Sequence, residues 1–497
     1  MNQKEIHSLR KELKKALYEN NMQQAKPIAE QLEAQYDGKA TGDNESTQVI
    51  IAATLAKYYQ KMKNYDKSAH YSRQAIHIAN IEKMALTSTL IEVHLNYAKL
   101  EKEYKQYTNA RKLLATLLQK LEKSKWEDNF AYGLTYRLLA KVGFEDMTFD
   151  AVVNQLNQAL GYFRKDVDED HPIIYQTIDD LTETHIRMES YQEALEMQEY
   201  LLQVYQETDD LLLPATILLR IGEIYFYIDL KKARKTVTQA LDLLQSLEKT
   251  ALLYESKGNL LLAELDENLA NYPRAITYYK RSLDQLRQVH ETEHFMIVYA
   301  YSKIGTLHMK VNQLKEAKQY LEEGIKLTEN HPRIRMQFLY ALGKIYSNEK
   351  SYDHALAMYH AFLDQLEQED KKLSKAYADT LQSIAFNFIQ QDNVDQAFEY
   401  YQAAISIYQK VKPISNEELG FASIRLAYCY ENKAIKEIEK ANEWYEYGVG
   451  KVEKVRDKSL TEEALASIID FYQRHDFPKK QPLYENKLVK LQLAKSK

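Results

Sequence analysis

The sequence predicts an all-α protein, a solenoid of about eleven to twelve stacked helical hairpins. Three observations carry that expectation. Only 13 glycines and 8 prolines occur in 497 residues, and strands joined by tight turns draw on both. A small residue recurs at Ala25, Ser68, Ala110, Val152, Ala194, Ala233, Ala275, Ala317, Ala355, Ala397 and Ala441, and six of the ten intervals are 42 residues. Within a unit the apolar residues step by three or four, as at Ile217, Leu218, Ile221, Ile224 and Tyr225, which is the spacing of one helix face.

Residues 1–44 are expected to form a degenerate first hairpin and a linker. Leu9, Leu13 and Leu17 would face Ile28 and Leu32, and the stretch from Tyr36 to Glu45, with two glycines, would be the link. Residues 45–457 are expected to be the repeat array. Its signature is an aromatic residue three places before a small one, as in Tyr65-Asp66-Lys67-Ser68, Tyr191-Gln192-Glu193-Ala194, Tyr272-Pro273-Arg274-Ala275 and Tyr352-Asp353-His354-Ala355. Upstream of such segments lie Ile221-Gly222, Ile304-Gly305, Leu342-Gly343 and Leu426-Ala427. The small residue of the first helix should face the alanine of the second, so that two backbones pack closely. The aromatics would fill the gap to the next hairpin. A lone hairpin cannot bury its apolar face, so stacking is obligatory. Helix starts are marked by Pro172, Pro214, Pro273, Pro332 and Pro478, because a first helical turn tolerates the missing N–H. Residues 458–497 would form a capping hairpin whose second helix, from Pro478, turns a polar face outward.

This pattern resembles the tetratricopeptide repeat (TPR) family. The common repeat of that family has about 34 residues. A 42-residue unit with Asp170-His171-Pro172 before a first helix is similar to the longer repeats of kinesin light chains and of Gram-positive bacterial regulators. The extra length gives each helix about one more turn, roughly 6 Å. The resemblance implies a right-handed α-α superhelix whose concave groove is lined by first helices. It also implies groove-facing positions. These are Lys57, Lys61, Lys99, Lys102, Arg137 and Lys141 in early units, and Asp179, Glu183, Glu223, Tyr227, Glu264 and Glu267 in middle units. In later units they are Tyr299, Lys303, Tyr340, Lys344, Asn348, Tyr428 and Asn432. The stripe thus changes sign along the chain, and such a change could orient a polar ligand.

Composition narrows the function. With 66 basic and 72 acidic side chains the net charge is −6, which argues against duplex DNA as a partner. The single cysteine, Cys429, excludes a disulfide framework and fits a reducing compartment. Neither a leader-like apolar segment nor a membrane-length apolar run is present, so a cytoplasmic location and no membrane insertion are expected. His290-Glu291-Thr292-Glu293-His294 matches a zinc-protease string, but it falls between two helices rather than inside one. Asp166-Val167-Asp168-Glu169-Asp170 lacks the glycine and distal glutamate of a calcium loop. No cofactor, metal or catalytic set is expected. The expected role is a non-catalytic scaffold or adaptor that holds a protein or peptide partner in its concave groove. The alternative is a peptide-responsive regulator without a DNA-binding module, and a homo-oligomer is compatible with either.

Overall fold

The computed structural model describes residues 3–36, 45–144, 148–206, 210–291 and 294–495. The linker expected after Tyr36 lies outside these residues. Among the described residues there are twenty-four α-helices and no strand. The chain divides into two compact units, Met1–Leu247 and Glu248–Lys497.

The first unit opens with α1 (Gln3–Tyr18) and α2 (Met22–Ala34), α3 (Glu45–Lys61) and α4 (Tyr65–Ile81), and α5 (Ser88–Glu103) and α6 (Tyr107–Ser124). It continues with α7 (Asn129–Gly143) and α8 (Phe149–Phe163), α9 (Pro172–Arg187) and α10 (Tyr191–Val204), and α11 (Leu212–Ile228) and α12 (Leu230–Leu244). The second unit begins with α13 (Leu252–Asn268) and α14 (Tyr272–Val289), α15 (Phe295–Lys310) and α16 (Leu314–Ile325), and α17 (Pro332–Asn348) and α18 (Tyr352–Gln368). It ends with α19 (Lys375–Gln390) and α20 (Val394–Lys410), α21 (Asn416–Asn432) and α22 (Ile438–Val452), and α23 (Lys458–Arg474) and α24 (Gln481–Lys495). Six hairpins per unit reach the upper end of the expected number.

The ladder of small residues is the seam of the fold. Each rung is the fourth residue of a second helix, and all eleven are at most 1% exposed. The partner differs from expectation by one helical turn. A Cβ on Gly222 would fall 2.4 Å from Val237 Cγ2, and one on Gly343 would fall 2.6 Å from Tyr359 Cε1. The glycine therefore makes room for the large residue one turn after the rung, and the alanine admits the first-helix backbone. At the N-terminus, Leu13, Leu17, Ile28 and Leu32 pack into one core as the periodicity predicts.

The corners explain why glycine is scarce. A helix commonly ends on a left-handed residue, usually glycine, followed by an N–H that reaches back five residues. Here Lys63, Lys105, Glu189, Ala270, Asn312, Lys350 and Asp392 hold that conformation, with φ between 57° and 60°. The next N–H closes the corner, for example Gln106 N to Glu101 O at 2.7 Å and Asn271 N to Asp266 O at 2.8 Å. Each non-glycine residue there costs about 1 kcal/mol, which the packing of the hairpin offsets. The short intervals of the ladder have simple causes. Asp229 alone joins α11 to α12, accepting hydrogen bonds from the N–H groups of Lys231 and Lys232 at 2.9 and 3.2 Å. The other shortening falls on α16, which has only 12 residues.

The C-terminal hairpin departs from expectation in two ways. Pro478 lies in a turn, and the last helix starts at Gln481 with Pro482 in its first turn. Its outer face is mixed rather than wholly polar: Asn486, Lys487 and Lys490 are exposed, and so are Leu483, Val489 and Leu493 at 61%, 51% and 61%.

Candidate functional site

First helices touch the next first helix, as α1–α3, α3–α5 and α5–α7 in the first unit and α15–α17 and α21–α23 in the second. Among the described residues no second helix meets the next second helix comparably. A stack that is tighter on one side curves toward that side, so in each unit the first helices line the inner face. The candidate groove residues of the sequence reading lie on these helices.

In the first unit most of these charges are already paired, with partners that the sequence reading did not name. Arg137 Nε lies 2.7 Å from Asp180 Oδ2, its Nη1 donates to Gln176 Oε1 at 3.0 Å, and Lys141 Nζ lies 3.2 Å from Asp180. One helix further on, Arg220 gathers Glu183 and Glu223 at 2.7 Å and Asp179 at 3.6 Å. Burial alone would weaken its charge, but the three carboxylates hold the Arg220 guanidinium protonated beyond its usual range. Burial also raises the Asp179 carboxyl, against the pull of Arg220. Lys57 pairs with Glu92 at 2.5 Å, and Lys102 lies 3.5 Å from its neighbour Glu103. Tyr227 stacks on Tyr191 with ring centroids 4.9 Å apart. Lys61 and Lys99 have no ion-pair partner among the described residues. Burial, with repulsion from Arg137 and Lys141, holds the Lys99 ammonium below the ordinary lysine value.

In the second unit the early part of the stripe is likewise self-satisfied. Tyr299 donates to Glu264 at 2.9 Å, and Glu267 accepts from Lys303 at 3.0 Å and from Tyr279 at 3.1 Å. Burial, reinforced by Glu264, keeps Tyr299 protonated. The later part is different. Lys344, Asn348, Gln382, Asn387 and Arg425, from α17, α19 and α21, line an open recess of about 290 Å³ floored in part by Tyr359. Lys344 lies over the ring of Tyr340 at 4.9 Å and Arg425 over that of Phe386 at 5.6 Å, and neither has a carboxylate partner among the described residues. Asn387 is 1% exposed; its amide donates to Ser383 O at 2.8 Å while its Oδ1 has no partner. A second recess of about 470 Å³ brings Tyr428 and Asn432 together with Arg425, Asp470 and Arg474. Arg425 belongs to both.

Sequence reasoning found Lys344, Asn348, Tyr428 and Asn432 but passed over Asn387 and Arg425. The signal for Asn387 was its place between Phe386 and Phe388, one turn after Ser383. The zinc-like string sits where expected: His290 ends α14, and His294 caps α15 by accepting from Met296 N at 3.3 Å. Thr292 and Glu293 lie outside the described residues. Among the described residues no group of three histidine, cysteine or acidic side chains is placed to hold a metal. None of their helices is long and apolar enough to cross a membrane.

Residues 255–330 match the family described as Tetratricopeptide repeat. No curated protein matches the sequence. Among solved structures, the apo form of the quorum sensor NprR from B. thuringiensis is 15% identical. It aligns over 81% of this chain and 99% of its own at a TM-score of 0.45. BtubC from P. vanneervenii is 15% identical over 45% of this chain and 91% of its own, with a TM-score of 0.38. YrrB, described as a TPR protein with an unusual peptide-binding site, is 21% identical over 41% of this chain and 90% of its own, with a TM-score of 0.32. The tetratricopeptide-repeat match is confined to residues 255–330, and helical hairpins like those it covers recur on either side of it, most often 42 residues apart.

Proposed function

We propose that the protein is a non-catalytic scaffold that holds an extended protein or peptide segment against the first helices of its second unit. A carboxylate of that segment sits between Lys344 and Arg425, and the amide of Asn348 reads its backbone. The supporting observation is the contrast along the groove. Elsewhere most candidate charges are paired within the protein, while here two cations stand without carboxylates beside a buried amide oxygen that lacks a donor. A charge-assisted hydrogen bond to each cation contributes about 1.5–3 kcal/mol. The partner is therefore an acidic or carboxylate-terminated segment in extended conformation.

Fluorescence anisotropy with a panel of labelled hexapeptides tests this, each peptide made with a free and an amidated C-terminus and with acidic, neutral or basic side chains. Acidic or free-carboxylate members should bind, and Arg425→Ala should weaken them about tenfold or more. Equal binding of amidated neutral peptides, or no effect of Arg425→Ala and Lys344→Ala, would remove the basis of the proposal.

A further inference from the structure

We infer that the first unit carries a separate site for a phosphate group, between α1 and α3, formed by Lys14, Lys57 and Lys61 with Tyr18 at its rim. These residues, with Leu17 and Gln60, line a recess of about 610 Å³. It lies in a different unit from the recess discussed above and does not depend on that reading.

The argument is one of charge balance. Arg10 and Lys14 are one turn apart on α1, and Lys57 and Lys61 are one turn apart on α3. Like charges at that spacing destabilise a helix; Lys14, Lys57 and Lys61 line the recess, and Arg10 lies outside its lining but within electrostatic reach of Lys14 and Glu92. Glu92 is the carboxylate in reach, 2.5 Å from Lys57. Arg10 donates to Thr89 at 2.8 Å, while Lys14 and Lys61 have no ion pair among the described residues. The recess lies toward the C-terminal ends of both helices, and each end supplies about half a negative charge. Four cations, one carboxylate and about one unit of helix-end charge leave an excess near +2. Desolvation, together with repulsion from Arg10 and Lys57, holds the Lys14 ammonium below its usual value despite Glu92. Further along the same unit Arg137 and Arg220 each meet a carboxylate of the neighbouring first helix, at 2.7 Å from Asp180 and from Glu183.

A phosphate dianion matches this excess where a single carboxylate does not. Its oxygens accept from ammonium groups on both helices, and lysine serves phosphate well as a point charge. The recess is larger than one phosphate requires, Leu17 gives it an apolar wall, and the Tyr18 ring is 92% exposed at the edge. The group that bears the phosphate would lie against that ring. A phosphorylated metabolite and a phosphorylated side chain share this chemistry.

The test is calorimetric titration of the full chain with pyrophosphate, ATP and a phosphoserine peptide, with citrate and the unphosphorylated peptide as controls. Saturable binding of a phosphate-bearing probe, weakened about tenfold or more by K14Q/K61Q and unchanged by K112Q/K123Q, supports the site. Preference for ATP and pyrophosphate would assign a metabolite, and preference for the phosphopeptide a modified protein. No saturation at millimolar probe, citrate binding as tightly, or binding indifferent to K14Q/K61Q would each overturn it. If K14Q/K61Q does not fold, K61Q alone carries the same comparison. In phosphate-free buffer K14Q/K61Q should melt at or above the wild type, because it relieves the repulsion. A lower Tm would mean that the lysines are structural and would count against the site.

Discussion

His94 offers a sharp test of the packing in the first unit. It is fully buried on α5, and its Nδ1–H donates to Leu90 O at 2.7 Å. Nε2 has no partner. A second proton there would be a buried, unpaired charge, so burial, with a smaller contribution from Lys120, pushes the ring's pKa down to about 4. An unfolded histidine titrates near 6.5. The unfolded chain therefore takes up the proton first as pH falls. The contribution of neutral His94 is intact above about pH 6.5 and is lost progressively down to about pH 4. The full loss is about 3 kcal/mol, and about 2 kcal/mol is already gone at pH 5. Replacement by phenylalanine keeps the ring and removes the titration. In a repeat protein the effect should concentrate near α5, so amide hydrogen exchange at pH 7.5 and pH 5, corrected for the intrinsic rate, is the suitable assay. Protection of α5 and the helices packed on it should fall at pH 5 by about 2 kcal/mol more in the wild type than in His94→Phe. The same acid sensitivity in both proteins would refute the reasoning, since other groups would then be carrying it.

Three further outcomes follow from the same packing. Ala317→Leu should overpack the α15–α16 seam and cost about 1–3 kcal/mol, with the lost hydrogen-exchange protection confined to adjacent hairpins. Ala270→Gly should stabilise the second unit by about 0.5–1 kcal/mol in urea denaturation, because φ is 57° there and glycine takes that value freely. The Cys429 thiol is buried, and burial pushes its pKa up to about 12. It should therefore resist Ellman's reagent in the native protein and react in denaturant.

The fold was legible because its seam is chemical. A rung that must admit a neighbouring backbone accepts only small residues, so Ala275 or Ala397 could be read without coordinates, and the intervals followed. The last helix was misplaced because the sequence offers two prolines four residues apart. Pro478 follows Asp476-Phe477 in a turn, and Pro482 is the one inside the helix. The groove was legible as a stripe but not as a set of partners. Arg137 looks like a free groove cation until Asp180, on the next first helix, proves to be 2.7 Å away. That pairing depends on the rotation of α9 relative to α7, which no local pattern encodes. Asn387 was missed for a related reason: its neighbours in sequence are apolar, and only the hairpin stack sets it beside Lys344 and Arg425.

The ion pairs between successive first helices also bear on how such an array can evolve. Repeats of nearly equal length are prone to loss or gain by unequal recombination, and a clean excision leaves every helix and every corner intact. Here the excision would not be silent. Removing α9 and α10 would bring α11 beside α7 and set Arg220 against Arg137 and Lys141, in place of the carboxylates that each now meets. Arg137 and Arg220 have side chains only 14% and 18% exposed, so water would do little to screen the clash. The hairpins thus share one shape but are not interchangeable, and their charges fix the order in which they can stand.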